Sequence, residues 1–293
     1  GGASLKGKTI IITGGASGIG LEATRVLANA GADVIVAARN PERARAALQG
    51  VAKAEVETLD LANPASIDAF AERFNARNTP LDILINNAGI MASPLSRDAR
   101  GYEAQFATNH LGHFQLTARL WPALKRAGKA RVVTLSSGAH RRSPILFDDI
   151  HFERSDYDKW VAYGQSKTAN ALFALALDDR SAAHGVRAFS AHPGVVPDTN
   201  LIHNLTPEEL KAQAAMFSTA KTVPQGTATT IWCAIDPKLE GMGGVYCEDA
   251  DISNAVPADK PTPGGVRPWA MDRAQAERLW TLSEQMTGVQ FRP

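Results

Sequence analysis

The amino-acid sequence predicts an α/β fold, with one doubly wound parallel sheet, helices on both faces and a C-terminal extension. Three observations carry that expectation. Short β-branched or apolar runs alternate with longer stretches whose apolar residues recur every three or four positions. A glycine-rich turn, TGGASGIG at Thr13–Gly20, separates the first apolar run from the first helical pattern. No repeat recurs at solenoid periods, so the alternation belongs to a single sheet rather than an array.

In chain order, strands are expected at residues 9–13, 33–37, 55–59, 83–85, 131–135, 187–191 and 244–246. Helical spacing marks residues 21–30, 66–77, 101–126 and 162–183. Residues 254–269, with Pro257, Pro261, Pro263 and Pro268, read as a loop wrapping the surface. Helical spacing returns over 272–286 through Ala276, Leu279, Trp280 and Leu282. We therefore expect one catalytic domain over residues 1–250 and an extension, 251–293, that packs near the substrate site.

Bulk properties exclude several functions. The chain has 293 residues and a net charge of +1, without the clustered basic surface that nucleic acid or an anionic membrane requires. It has only two cysteines, Cys233 and Cys247, so a disulfide framework is not expected. No apolar run reaches the roughly 18 residues of a membrane span, and no signal-peptide pattern opens the chain. The expectation is a cytoplasmic enzyme with no nucleic-acid partner.

In an open parallel sheet, ligands sit beyond the carboxyl ends of the strands, where helix N-termini offer unpaired amides to phosphate oxygens. Gly14 suits a sharp turn off the strand, Gly18 a close backbone approach to a pyrophosphate, and Gly20 tight helix–sheet packing. Ser17 and Ile19 lie in the same turn. An acid closing the second strand would bind the ribose hydroxyls of NAD, but Ala38 stands there, followed by Arg39 and Asn40. A guanidinium grips a 2′-phosphate that a carboxylate would repel. The expected cofactor is NADP(H); a plain turn and a solvated arginine are the bland alternatives.

Further along stand NNAG at Asn86–Gly89, Asn109 in FATNHLGHF, SSGAH from Ser136, YGQSK at Tyr163–Lys167 and HPGVVPDTNL from His192. In that order these resemble the short-chain dehydrogenase/reductase family over about residues 5–250. YGQSKTANALF and HPGVV are most similar to its retinol-dehydrogenase-like branch and to the light-dependent protochlorophyllide reductases. The resemblance implies a Rossmann-type sheet and an NADP(H)-dependent oxidoreductase interconverting an alcohol with a ketone or aldehyde. Tyr163 would pass the proton, Lys167 would also hold the nicotinamide ribose, and Ser137 would hydrogen-bond the substrate carbonyl. Asn109 would hold a water linking Lys167 to solvent. Alternation at the strand end leaves Ser136 and Ser137 both open; the family pattern favours the second.

The resemblance also implies that Asp60 and Leu61 touch adenine, and that Asn87, Ala88 and Gly89 line the adenosine side. Pro193, Gly194 and Val196 would back the nicotinamide, and Thr199 would reach its carboxamide. Four residues separate Gly194 from Thr199 where many members have three, a spacing similar to the protochlorophyllide reductases. The helices over 101–126 and 162–183 resemble the pair through which members form a homodimer or homotetramer.

Tyr163 and Lys167, four apart, share one helix face. A free phenol with pKa about 10 is a poor base at neutral pH. An ammonium ~4 Å away, helped by the positive charge of oxidised nicotinamide, stabilises phenolate; at an effective dielectric of about 20 the pair is worth up to ~4 kcal/mol, roughly three pK units before desolvation is subtracted. A phenol near its working range is the expectation.

Twenty-five residues separate Ser137 from Tyr163, about twice the family's usual gap. That stretch carries Phe147, Phe152, Tyr157 and Trp160, and is expected to form a lip beside a large apolar substrate. His110 and His113 have helical spacing but no third ligand nearby, so no metal is expected. Arg141 and Arg142 read as a solvated pair, with attraction of an anionic substrate as the alternative, and Trp232, Trp269 and Trp280 as packing residues or the lining of a substrate entrance. Two other readings remain at this point, reduction of an activated C=C bond and a non-catalytic NADP sensor or scaffold. A sensor would need none of Asn109, Ser137, Tyr163 and Lys167.

Overall fold

The computed structural model describes residues 4–212 and 219–293. The strands are β1 (Thr9–Thr13), β2 (Asp33–Ala38), β3 (Ala54–Thr58), β4 (Ile83–Asn86), β5 (Ala130–Leu135), β6 (Val186–His192), β7 (Val245–Glu248) and β8 (Asp251–Ile252). They form one sheet in the order β3-β2-β1-β4-β5-β6-β7-β8. All neighbours are parallel except β7 and β8. Every residue of β1, sequence TIIIT, is buried, as a parallel strand covered on both faces requires. The chain runs outward from β1 to β3, then returns to β4 on the other side of β1. This reversal opens a crevice beyond the carboxyl ends of β1 and β4.

The helices are α1 (Gly18–Asn29), α2 (Pro41–Ala47), α3 (Pro64–Ala76), α4 (Ala104–Phe106), α5 (Gly112–Ala127), α6 (Lys159–Ser181), α7 (Pro207–Ala212), α8 (Val223–Ile235) and α9 (Arg273–Thr287). One face of the sheet carries α3, α5, α6 and α9 around Phe70, Phe114, Phe173 and Trp280. The other carries α1 and α8 around Leu27, Cys233 and Cys247, both cysteines being free and buried. None of the described helices is long and apolar enough to cross a membrane.

Beyond the short elements α2, α7 and β8, which the sequence reading did not anticipate, three features differ from expectation. The helix expected over 101–126 is interrupted by a π-helical turn at Ala107–Leu111. α8 (VPQGTATTIWCAI) has no counterpart among the helical patterns read above, because threonines break its apolar spacing. Its start is held instead by a reciprocal cap between Thr222 and Gln225. The stretch between Ser137 and Tyr163 mostly packs: Phe147 lies under Arg278 of α9, and the Tyr157 hydroxyl meets Gln105, Glu103 and Ser93. Of its four aromatic residues only Trp160 lines the main cleft.

The extension is built into the core. β8 continues the sheet past residue 250, and Trp280 of α9 stacks on Phe173 and Phe291 with centroids 5.9 and 4.9 Å apart. α9 thereby takes up apolar surface of α5 and α6, the helices expected to meet a second copy.

Candidate active site

The crevice is floored by the turn after β1. Gly14 has φ +64°, and a Cβ on Gly20 would fall 2.2 Å from the Gly14 carbonyl oxygen and 2.5 Å from Asn87 Nδ2. Glycine at position 20 is therefore what lets α1 start this close to the sheet. Ser17 is the N-cap of α1, yet its side chain makes no capping bond, and the first turn carries no acid. The leading amides and the exposed hydroxyl remain available to phosphate oxygens, so the turn fits a dinucleotide pyrophosphate. Thr199 closes over this turn: a Cβ on Gly18 would lie 3.2 Å from its Cγ2.

Arg39 is exposed beyond the end of β2 with no acidic partner among the described residues. Asn40 caps α2, its Oδ1 accepting the Arg43 N–H at 3.0 Å. Asp60 folds back on itself, accepting the Ala62 N–H at 3.0 Å. The Leu61 side chain is only 6% exposed and belongs to the core, and its carbonyl oxygen packs against Gly112.

A buried network ties the NNAG turn to the π-helical turn. Thr13 Oγ1 accepts the N–H groups of Asn87 and Ala88 at 2.9 and 3.0 Å and lies 2.8 Å from His113 Nε2. His113 Nδ1 lies 2.9 Å from the Asn109 carbonyl oxygen. With both lone pairs of Thr13 engaged, its proton goes to Nε2, and Nδ1–H donates to Asn109. Burial holds this imidazole neutral, its pKa pulled down to about 4.

The Asn109 side chain accepts the Ile90 N–H at 2.9 Å and donates to the Ile90 carbonyl and Ser166 Oγ, each at 2.9 Å. Both amide protons are engaged, so the side chain clamps the loop after β4 to α6 and has none left to donate to a water. His110, beside it, pairs with Ser283 of α9 at 2.7 Å.

Tyr163 and Lys167 lie one turn apart on α6, with Nζ 5.6 Å from the phenol ring centroid and donating to the Leu135 carbonyl at 3.2 Å. Burial opposes the electrostatic pull of the amine here. Burial pushes the phenol up to about 12, a hydrogen bond with Ser137 opposing it, while burial pulls the amine down to about 8. The protein's own groups therefore keep the phenol protonated at neutral pH, because desolvation outweighs the neighbouring amine. Ser136 is 2% exposed and donates to the Lys167 carbonyl at 2.9 Å, which makes it a structural tie. Ser137 is the serine whose hydroxyl acts on the Tyr163 phenol, favouring its ionised form.

Ser137, Tyr163 and Lys167 line a cleft of about 940 Å³, together with Gly89, Gly194, Val196 and Thr199. Met91, Leu205, Trp160 and Pro263 supply apolar walls, and residues 262–264 bring the extension to its rim. Two of its residues had no site role in the sequence expectations: His192 was only the first residue of a motif, and Arg141, read as solvated, is instead largely buried and paired with Glu248. His192 opens HPGVV, so its motif was visible, but its contact lies 54 residues away: Nδ1 accepts the Gly138 N–H at 3.1 Å. His140 ties the same turn to the extension, with Nδ1 2.7 Å from the Ser137 carbonyl and Nε2 accepting the Arg267 N–H at 3.1 Å.

Comparison with known proteins agrees with this fold. The short chain dehydrogenase family model matches residues 8–210. A Streptomyces antibioticus protein described as a probable oxidoreductase is 43% identical, over 94% of this chain and 96% of its own. Mouse retinol dehydrogenase 12 is 38% identical over 98% of this chain and 88% of its own. The crystal structure of an uncharacterised Mycobacterium paratuberculosis protein superposes with a TM-score of 0.73 and 35% identity, covering 99% of this chain and 96% of the other. The chain is an oxidoreductase of the short-chain dehydrogenase/reductase family, in its retinol-dehydrogenase-like branch.

Proposed function

We propose that the protein uses NADP(H) to interconvert a fairly large, apolar ketone or aldehyde with its alcohol, Tyr163 giving or taking the proton. The observation that carries this reading is the apolar-walled cleft onto which Ser137, Tyr163 and Lys167 all open.

In the reducing direction the substrate oxygen accepts hydrogen bonds from the Tyr163 and Ser137 hydroxyls. A buried phenol that holds its proton at neutral pH is suited to donate it as charge develops on that oxygen. The Lys167 ammonium then stabilises the phenolate that is left. Ser17, the amides of the turn after β1, and Asn87 to Gly89 hold the dinucleotide, with Arg39 on its 2′-phosphate. When bound, the nicotinamide supplies the hydride, or accepts it in the reverse direction. Met91, Leu205 and Trp160 exclude water from the reacting carbon.

A relative named for retinol, an apolar alcohol, supports the substrate class. Two free, buried thiols are consistent with a cytoplasmic setting. The test is loss of NADPH absorbance with a panel of bulky apolar ketones and aldehydes. Turnover is expected, with Tyr163→Phe lowering kcat by about 10²–10⁴ while NADPH still binds. A Tyr163→Phe enzyme that keeps its kcat refutes the role.

A further inference from the structure

We infer that the cleft contains a second substrate anchor, formed by His192 Nε2 and Arg141 Nη1 beside Gly138, that takes a neutral acceptor oxygen. It rests on the carbonyl-reductase reading and narrows the substrate to a carbonyl compound with a second oxygen a few bonds from the reacting one.

The imidazole comes first. His192 Nδ1 accepts the N–H groups of Gly138 at 3.1 Å and Gly194 at 3.3 Å. A ring nitrogen that accepts carries no proton, so in the neutral ring the proton sits on Nε2. That N–H has no partner among the described residues, and the ring lines the cleft. It is a donor of fixed direction, because the two backbone amides hold the ring from the turns after β5 and β6.

The guanidinium is fixed in the same way. Arg141 Nε donates to the Gly265 carbonyl at 3.0 Å and Nη2 to Glu248 Oε2 at 3.3 Å. Nη1 has no partner among the described residues. A Cβ on Gly138 would lie 2.9 Å from Arg141 Nη1 and 3.2 Å from His192 Nε2. Two unused donors thus close on one side of the one residue whose missing side chain leaves them room.

Position and charge define the ligand. Gly138 adjoins Ser137, and neighbouring Cα atoms are about 3.8 Å apart, so an oxygen held here lies a few bonds from the carbonyl at Ser137. Arg141 already faces Glu248, and Lys221 pairs with Asp249 at the same end of the cleft. Arg142 is turned onto the Trp160 ring, 5.4 Å from its centroid. With the cations at the anchor matched by acids, a ketone or ester oxygen fits better than a carboxylate.

The test is equilibrium binding to the full chain by calorimetry, with NADP+ present so that no reduction follows. The probes are 2-decanone and 2,5-decanedione, matched in length and differing by one oxygen. The parent should bind the dione roughly tenfold more tightly, the effect of about one hydrogen bond. His192→Asn keeps an oxygen where Nδ1 accepts its amides but removes the Nε2 donor; Arg141→Lys keeps the charge but removes the fork. Each should shrink the preference to about twofold. Equal affinities in the parent, a preference kept by both variants, or equal weakening of both ligands overturns the anchor. Binding does not depend on turnover: an anchor that passes while NADPH is never oxidised would instead refute the reductase reading.

Discussion

Lys167→Met should abolish activity and stabilise the fold. The amine is buried and its pKa falls from 10.5 to about 8. An unfolded chain thus holds this proton more tightly by about 2.5 units, which at 1.36 kcal/mol each is roughly 3 kcal/mol of native stability forfeited below pH 8. Replacement leaves no orphan, because the Leu135 carbonyl also accepts from Asn170 Nδ2 at 2.9 Å. Allowing about 1 kcal/mol for the lost lysine bond, the variant should gain roughly 2 kcal/mol at pH 7. A depressed base has a definite sign. Its penalty is whole below the folded pKa and disappears as pH climbs toward the unfolded one, so the gain should vanish between pH 8 and 10.5. Urea denaturation of both proteins at pH 7, 9 and 10.5 measures this, alongside NADPH oxidation. A variant less stable than the parent at pH 7, or a gain independent of pH, would refute the burial argument.

Other consequences follow from the same site. His110, His113, His140 and His192 are held neutral by burial, with pKa values of about 3, 4, 4 and 3 against 6.5 unfolded. Each contributes stability present above pH 6.5 and lost as pH falls, so the slope below it should approach about 5 kcal/mol per pH unit. Uptake of fewer than about two protons on acid unfolding would contradict that. Gly20→Ala forces a Cβ into the Gly14 carbonyl and Asn87, costing about 1–3 kcal/mol in melting experiments, and should weaken NADP(H) binding at least tenfold; unchanged dissociation constants would sink the cradle. Arg39→Asp should move the NADP/NAD preference toward NAD by about 1–3 kcal/mol, read from kcat/KM for each nucleotide.

The seven parallel strands lay within a residue or two of their expected places, because a buried parallel strand is a short β-branched run bounded by turns, a property of neighbouring residues; the two-residue antiparallel β8 was not anticipated. The helix over 101–126 was legible as a helix but not as a broken one. Its π-helical turn is followed at once by His113, whose partner Thr13 lies 100 residues earlier in the chain. The glycine turn and the Tyr163–Lys167 pair were legible for the same local reason as the strands. The clamp role of Asn109 was not, since Ile90 and Ser166 approach it from separate elements.

By itself the sequence determined an alternating parallel sheet, a phosphate-sized turn and one helix face bearing both a phenol and an amine. Those follow from steric rules and periodicities that act over a few residues. Only the tertiary structure decided which serine is tied to the Lys167 carbonyl, which backbone groups hold His192 and Arg141, and how far the phenol is desolvated. These depend on which distant segments meet and how much water they exclude, and desolvation of Tyr163 exceeds the pull of any neighbour visible in the chain.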